Sequence, residues 1–315
     1  MIMILFLLIL GFIILVKGAD FLLDGATSLA KKLAVSEIAI GLTVVAFGTS
    51  SPELVVNILA SIRNSHELCF GNVLGSNIFN ILVVLGIAGL IYPISVKKNT
   101  VKKEIPFLLV GTILVFALAN NFGFHGHLLS RLDGIIMISS LFLFFLYVIG
   151  IAKIQGPDEY NIIIFSDFKT GLFMFLGVVG LFLGGEMVVH NAIKIAKMLH
   201  VGEKLIALTM VALGTSLPEF VTSVIAVTKK RYDLAIGNVI GSNIFNLFMV
   251  LGLTVLISPV EYPRSLDFDF YFLLLITFIF LITMFTGRKR KLDRWEAVLF
   301  IILYIGYFIF IIKRK

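Results

Sequence analysis

The sequence predicts an all-α, polytopic membrane protein: ten transmembrane helices in two five-helix repeats of inverted topology. Three observations lead there. Of the 315 residues, 59% are hydrophobic and 14% charged, against about 25% charged in a typical soluble domain. The apolar residues gather in runs long enough for the roughly 20 residues that a bilayer-crossing helix needs. Finally, a 46-residue block recurs at a constant offset of 166.

In chain order, the apolar runs place spans at 3–30, 36–63, 67–92, 103–122, 132–152, 170–198, 203–229, 233–258, 267–287 and 293–312. The first is read as a span rather than a removed signal peptide, because no basic segment precedes it and no cleavage site follows. Residues 1–152 form the first repeat, 153–168 a short cytoplasmic linker with a Gly156–Pro157 turn, and 169–315 the second repeat. Asp158 and Glu159 read as a solvated loop face, and the linker is too short for a folded regulatory domain.

Basic clusters fall between the spans: Lys31–Lys32, Lys97–Lys98 with Lys102–Lys103, Lys229–Lys230–Arg231, and Arg288 to Lys291 with Arg294. With Lys153 and Lys169 they put 16 basic residues on one side, against 9 on the other. The positive-inside rule then places both termini outside a multi-pass cell-membrane protein. The net charge of +7 thus reflects topology and contact with the lipid bilayer. No basic domain exists to bind nucleic acid. The single cysteine, Cys69, excludes an internal disulfide and reads as packing.

The repeat pairs residues 41–86 with 207–252 without a gap, and about half of the aligned positions are identical. The register extends backward, matching Gly18 with Gly184, Asp20 with Glu186 and Lys31 with Lys197. Five spans per half is an odd number, so the halves cross the membrane in opposite senses. Inverted repeats of this kind build two related gates about a shared midplane site.

Each copy carries chemistry. Glu53 and Glu219 lie inside predicted spans, where a carboxylate costs about 2.5–3.5 kcal/mol on insertion scales and normally serves transport. They sit in GTSSPE and GTSLPE. Pro52 and Pro218 donate no backbone hydrogen bond, which loosens the turn back to Gly48 and Gly214 and frees carbonyl oxygens. Thr49, Ser50, Thr215 and Ser216 add hydroxyls at each break. The second motif, GNVLGSNIFN and GNVIGSNIFN, sets Ser76 with Asn80 and Ser242 with Asn246 four residues apart, on one helix face. Asn72, Asn77, Asn238 and Asn243 read equally well as ligands or interhelical hydrogen bonders. An oxygen-only set with two carboxylates suits a hard cation such as Ca²⁺ or Na⁺ and disfavours zinc or copper. No nucleophile and base pair assembles, so an enzyme is not expected. His125 and His127 read as a solvated loop, His66, His190 and His200 as structural or interfacial, and Lys17 as pairing with Asp20 within one helix.

The paired GTS-x-PE and GN-xx-GSNI-xN motifs resemble the alpha repeats of the cation/calcium exchanger superfamily, nearest the prokaryotic sodium/calcium exchangers. The resemblance covers the whole chain in topology. It implies ten helices around four cation sites, with Ca²⁺ clamped between Glu53 and Glu219 and the carbonyls of Thr49 and Thr215. It further implies that Thr49, Ser50, Ser76, Thr215, Ser216 and Ser242 complete flanking Na⁺ sites, with the carbonyls of Ala46 and Ala212. The first and sixth spans resemble the family's sliding gate helices. Some family members carry Asp at one of the positions held here by Asn80 and Asn246, so this site holds at most two negative charges from the glutamates. The expected function is Ca²⁺/Na⁺ antiport by alternating access. Ca²⁺/H⁺ or K⁺-dependent antiport is the alternative, and a passive channel a more distant one. No cofactor and no obligate protein partner is expected.

Overall fold

A computed structural model describes residues 2–120, 127–155, 163–199 and 214–314. Long helices dominate: α1 (Ile2–Lys32), α2 (Glu37–Thr49), α3 (Ser51–Ile62), α4 (His66–Ile91), α5 (Ile105–Ala119), α6 (Arg131–Gln155), α7 (Asp167–Met198), α8 (Leu217–Thr228), α9 (Tyr232–Ile257), α10 (Asp267–Thr283) and α11 (Arg294–Lys313). Among the described residues seven helices are long and apolar enough to cross a membrane, or eight if the bent pair α2–α3 counts as one span. Two predicted spans fail that length test. Span 103–122 holds α5, preceded by a π-turn at Thr100–Glu104. In span 203–229 residues 203–213 lie outside the described residues, which leaves α8. α6 runs on to Gln155, into the predicted linker, since nothing before Gly156–Pro157 interrupts a helix. Its remainder lies largely outside the described residues.

The elements repeat as the sequence does. α3 and α8 share bounds at the offset of 166, as do α4 and α9. So do the π-turns inside the latter pair, Asn80–Val84 and Asn246–Val250. Four two-residue strands pin the ends: β1 (Ile94–Ser95) pairs antiparallel with β4 (Lys291–Leu292), and β2 (Leu128–Leu129) with β3 (Val260–Glu261).

Burial ranks the helices. Within their apolar windows α4 and α9 are 72% and 83% buried, whereas α1 and α11 are each 22% buried. The motif helices therefore form the centre, and the outer helices present apolar side chains outward. Examples are Phe6 and Phe12 on α1, Phe142 and Leu146 on α6, and Ile302 and Ile305 on α11. Such a surface matches hydrocarbon rather than water.

Close helix crossings explain the small residues. α1 packs along α7, and a Cβ on Gly18 would stand 2.6 Å from the Leu181 backbone nitrogen. α9 crosses α2 as tightly: a Cβ on Gly241 would stand 2.8 Å from the Leu42 carbonyl oxygen. With lipid as solvent, such backbone proximity is a main source of helix association.

Candidate functional site

The break between α2 and α3 bends the chain by 46° at Ser50, whose backbone (φ −84°, ψ 5°) leaves the helical region. Pro52 causes this locally by withholding the amide that would bond Gly48. Ser216 adopts nearly the same conformation (φ −89°, ψ 4°) ahead of Pro218. Each break delivers its glutamate, in the first turn of α3 or α8, to the molecule's centre. Glu53 and Glu219 are fully buried, as are Thr49, Ser50, Ser76, Asn80, Ser216, Ser242 and Asn246; Thr215 is 8% exposed.

The two copies interlock through side chains. Ser50 Oγ donates to Glu219 Oε1 at 2.9 Å, and Ser216 Oγ returns the bond to Glu53 Oε1 at 3.2 Å. Ser76 Oγ also donates to Glu53 Oε1 at 3.3 Å. Thr49 Oγ1 lies 3.2 Å from Ser242 Oγ and donates to Asn238 Oδ1 at 3.0 Å. Its counterpart Thr215 lies 3.5 Å from Ser76 Oγ and donates to Asn72 Oδ1 at 3.2 Å. Every one of these bonds except Ser76 to Glu53 joins one repeat to the other. The Ala46 carbonyl accepts from Ser50 N at 2.9 Å, with Thr49 Oγ1 3.3 Å away. Ala212 lies outside the described residues.

Asn72, Asn77, Asn238 and Asn243 are interhelical bonders. Asn72 Nδ2 donates to Asn57 Oδ1, and Asn238 Nδ2 to Ser223 Oγ. Asn57 and Ser223 were missed from sequence. Their signal was present, because Asn57 stands one helical turn after Glu53 and Ser223 one turn after Glu219.

What the interlock leaves over matters most. The buried oxygens with no hydrogen-bond partner include one from each glutamate and one from each motif asparagine: Glu53 Oε2, Glu219 Oε2, Asn80 Oδ1 and Asn246 Oδ1. Buried acceptors without donors are costly in a folded protein. Carboxylate and amide oxygens are the donor types that a hard cation takes. Among the described residues no group of three or more His, Cys, Asp or Glu converges anywhere.

A cavity of about 390 Å³ lies beside this centre, lined by Pro52, Thr215, Pro218, Gly185, Glu186 and His190 among others. α8 packs against α1, and Lys229 Nζ bridges Asp20 Oδ1 and Asp24 Oδ1, each at 3.0 Å. Asp20 therefore pairs across the repeats rather than with Lys17, because the lysine at the end of α8 reaches both acids on one face of α1. His127 and His66 sit in interfaces: His127 Nε2 accepts from Arg264 Nε at 2.9 Å, and His66 Nδ1 accepts from Glu261 N at 3.0 Å. His125 and His200 lie outside the described residues.

Comparison with known proteins shows the family and the fold. The sodium/calcium exchanger protein family model matches residues 3–150 and 169–313. The sodium/calcium exchanger MaX1 of Methanosarcina acetivorans is 32% identical, over 96% of this chain and 97% of its own. The inner membrane protein YrbG of Escherichia coli is 37% identical, over 87% and 86%. The solved sodium-calcium exchanger NCX_Mj, soaked with Na⁺ and Ca²⁺, superposes with a TM-score of 0.80 at 31% identity, covering 97% of each chain. This chain belongs to the sodium/calcium exchanger family.

Proposed function

We propose that this protein exchanges Ca²⁺ for Na⁺ across the cell membrane by alternating access, at a midplane site built on Glu53 and Glu219. The observation that carries the reading is the reciprocal lock between the motifs. Each glutamate has one oxygen held by a serine of the other repeat, while its second oxygen is left without a donor. Two carboxylates balance the charge of one Ca²⁺. Asn80 and Asn246 supply neutral oxygens, and Thr49, Ser50, Ser76, Thr215, Ser216 and Ser242 are the ligands for Na⁺, with the carbonyls of Ala46 and Ala212. The names of relatives such as MaX1 support these ions.

Ten helices in two inverted five-helix repeats, residues 1–152 and 169–315, complete the proposed architecture. Opposite states of the two faces support alternating access. The counterparts of Lys229, Asp20 and Asp24 at the offset of 166 are Arg63, Glu186 and His190. The first trio is bonded on a closed face, whereas Glu186 and His190 line the cavity and Arg63 forms no ion pair among the described residues. The basic cluster at Lys229–Arg231 puts the closed face inside, so the cavity opens outward and both termini lie outside. The test is purified protein in liposomes loaded with Na⁺. An outward Na⁺ gradient is expected to drive uptake of radiolabelled Ca²⁺. Uptake driven equally by a proton gradient without Na⁺ would replace Na⁺ with H⁺ as the coupling ion.

A further inference from the structure

Where the two most buried helices cross, α4 and α9, four asparagine side chains form a closed set. Asn77 Nδ2 donates to the Asn243 carbonyl at 3.3 Å, and Asn243 Nδ2 donates to the Asn77 carbonyl at 3.4 Å. Asn246 Nδ2 donates to Asn77 Oδ1 at 3.1 Å, and Asn80 Nδ2 donates to Asn243 Oδ1 at 3.1 Å. All four residues are fully buried.

The chemistry of the partners fixes every amide's direction. A backbone carbonyl only accepts, so Asn77 must turn its NH₂ toward Asn243 O. Its side-chain oxygen then faces Asn246, which must answer with NH₂. The Asn246 oxygen is thereby turned the other way, and it is buried without a donor. The same chain of constraint runs from Asn243 to Asn80. With Asn77 removed, nothing would prevent the Asn246 amide from rotating by half a turn. It would then present hydrogens, with positive partial charge, where an oxygen ligand is needed.

We infer that Asn77 and Asn243 are positioning residues, each locking the amide of the other repeat's asparagine so that Asn246 and Asn80 turn their oxygens toward the cation. This rests on the two-glutamate site proposed above. It also explains how asparagine can serve at both positions: the lock gives a neutral amide the fixed polarity that a carboxylate has without one. The π-turns that begin at Asn80 and Asn246 fit this role, since a widened turn is a common device for re-aiming side chains at functional sites.

The test is a double-mutant cycle in liposomes, reading the KM for Ca²⁺ and the maximal rate separately. Asn77→Leu is expected to raise the KM about tenfold, the scale of losing one well-oriented ligand, with the maximal rate kept within about twofold. In an Asn246→Ala background, Asn77→Leu should raise the KM no further, because its target is already gone. A purely structural role predicts the reverse: a loss of thermal stability and maximal rate that adds fully in the double variant. If Asn246→Ala raises the KM and Asn77→Leu does not, the positioning role is overturned while the site stands. If Asn246→Ala itself leaves the KM unchanged, the ligand reading fails. Should Asn77→Leu not fold, the mirror cycle of Asn243→Ala with Asn80→Ala decides by the same criteria.

Discussion

In the proposed alternating-access reading the bridge from Lys229 to Asp20 and Asp24 holds one face closed, and its removal has a measurable consequence. All three side chains are partly exposed, at 35%, 29% and 44%. Water therefore screens the bridge, and each pair contributes only about 0.5 kcal/mol. Two pairs give about 1 kcal/mol, so Lys229→Gln should shift the ratio of opened to closed states of that face by about fivefold. The assay is labelling of a cysteine at position 222. Thr222 is fully buried, whereas its repeat counterpart Val56 lines the open cavity. In a Thr222→Cys variant the maleimide rate measures how often the closed face opens, and the native Cys69 is buried and adds little background. Adding Lys229→Gln should raise that rate about fivefold at low salt and by less at high salt, as ions screen the bridge. An unchanged rate at low salt would refute the bridge as a latch.

Three further outcomes are expected. Gly18→Ala places a methyl group 2.6 Å from the Leu181 nitrogen and should destabilise the α1–α7 crossing by about 1–3 kcal/mol, seen as a lower melting temperature. Ser50→Ala leaves Glu219 Oε1 without the Ser50 hydroxyl and should cost the Ca²⁺-free protein about 1.5–3 kcal/mol, read as thermal stability in chelator. Tyr307→Phe removes the 2.6 Å bond to buried Asp269, which Arg314 still holds at 2.6 Å, and should cost about 1–2 kcal/mol in the same melting assay.

Much of this was legible in the sequence, for identifiable reasons. Spans 36–63, 67–92 and 233–258 differ by one residue at each end from the observed Glu37–Ile62, His66–Ile91 and Tyr232–Ile257, because polar or basic residues bound each run. The bend at Ser50 followed from Pro52. The cross-repeat bonds of Ser216 to Glu53 and Ser50 to Glu219 were not legible, since they arise only when the two repeats dock. The π-turns at Asn80 and Asn246 left no sequence mark, since an extra residue in a turn changes neither composition nor apolar pattern. The partner of Asp20 was misread because a lysine three residues away is visible in sequence, whereas Lys229 becomes a neighbour only once the repeats dock. Nor could sequence say which face is closed. The two halves carry nearly the same motifs, and in the proposed mechanism the choice between faces belongs to the conformation.

The central claim is that two glutamates, one from each repeat, hold the transported Ca²⁺ together. Its most direct test is Na⁺-gradient-driven Ca²⁺ uptake by Glu53→Gln and Glu219→Gln, each verified as folded by its elution profile and melting curve. Glutamine keeps the shape and an oxygen but removes the charge that balances the ion. The proposed mechanism predicts that either substitution alone brings uptake down to that of protein-free liposomes. Exchange at the wild-type rate by either variant would contradict it.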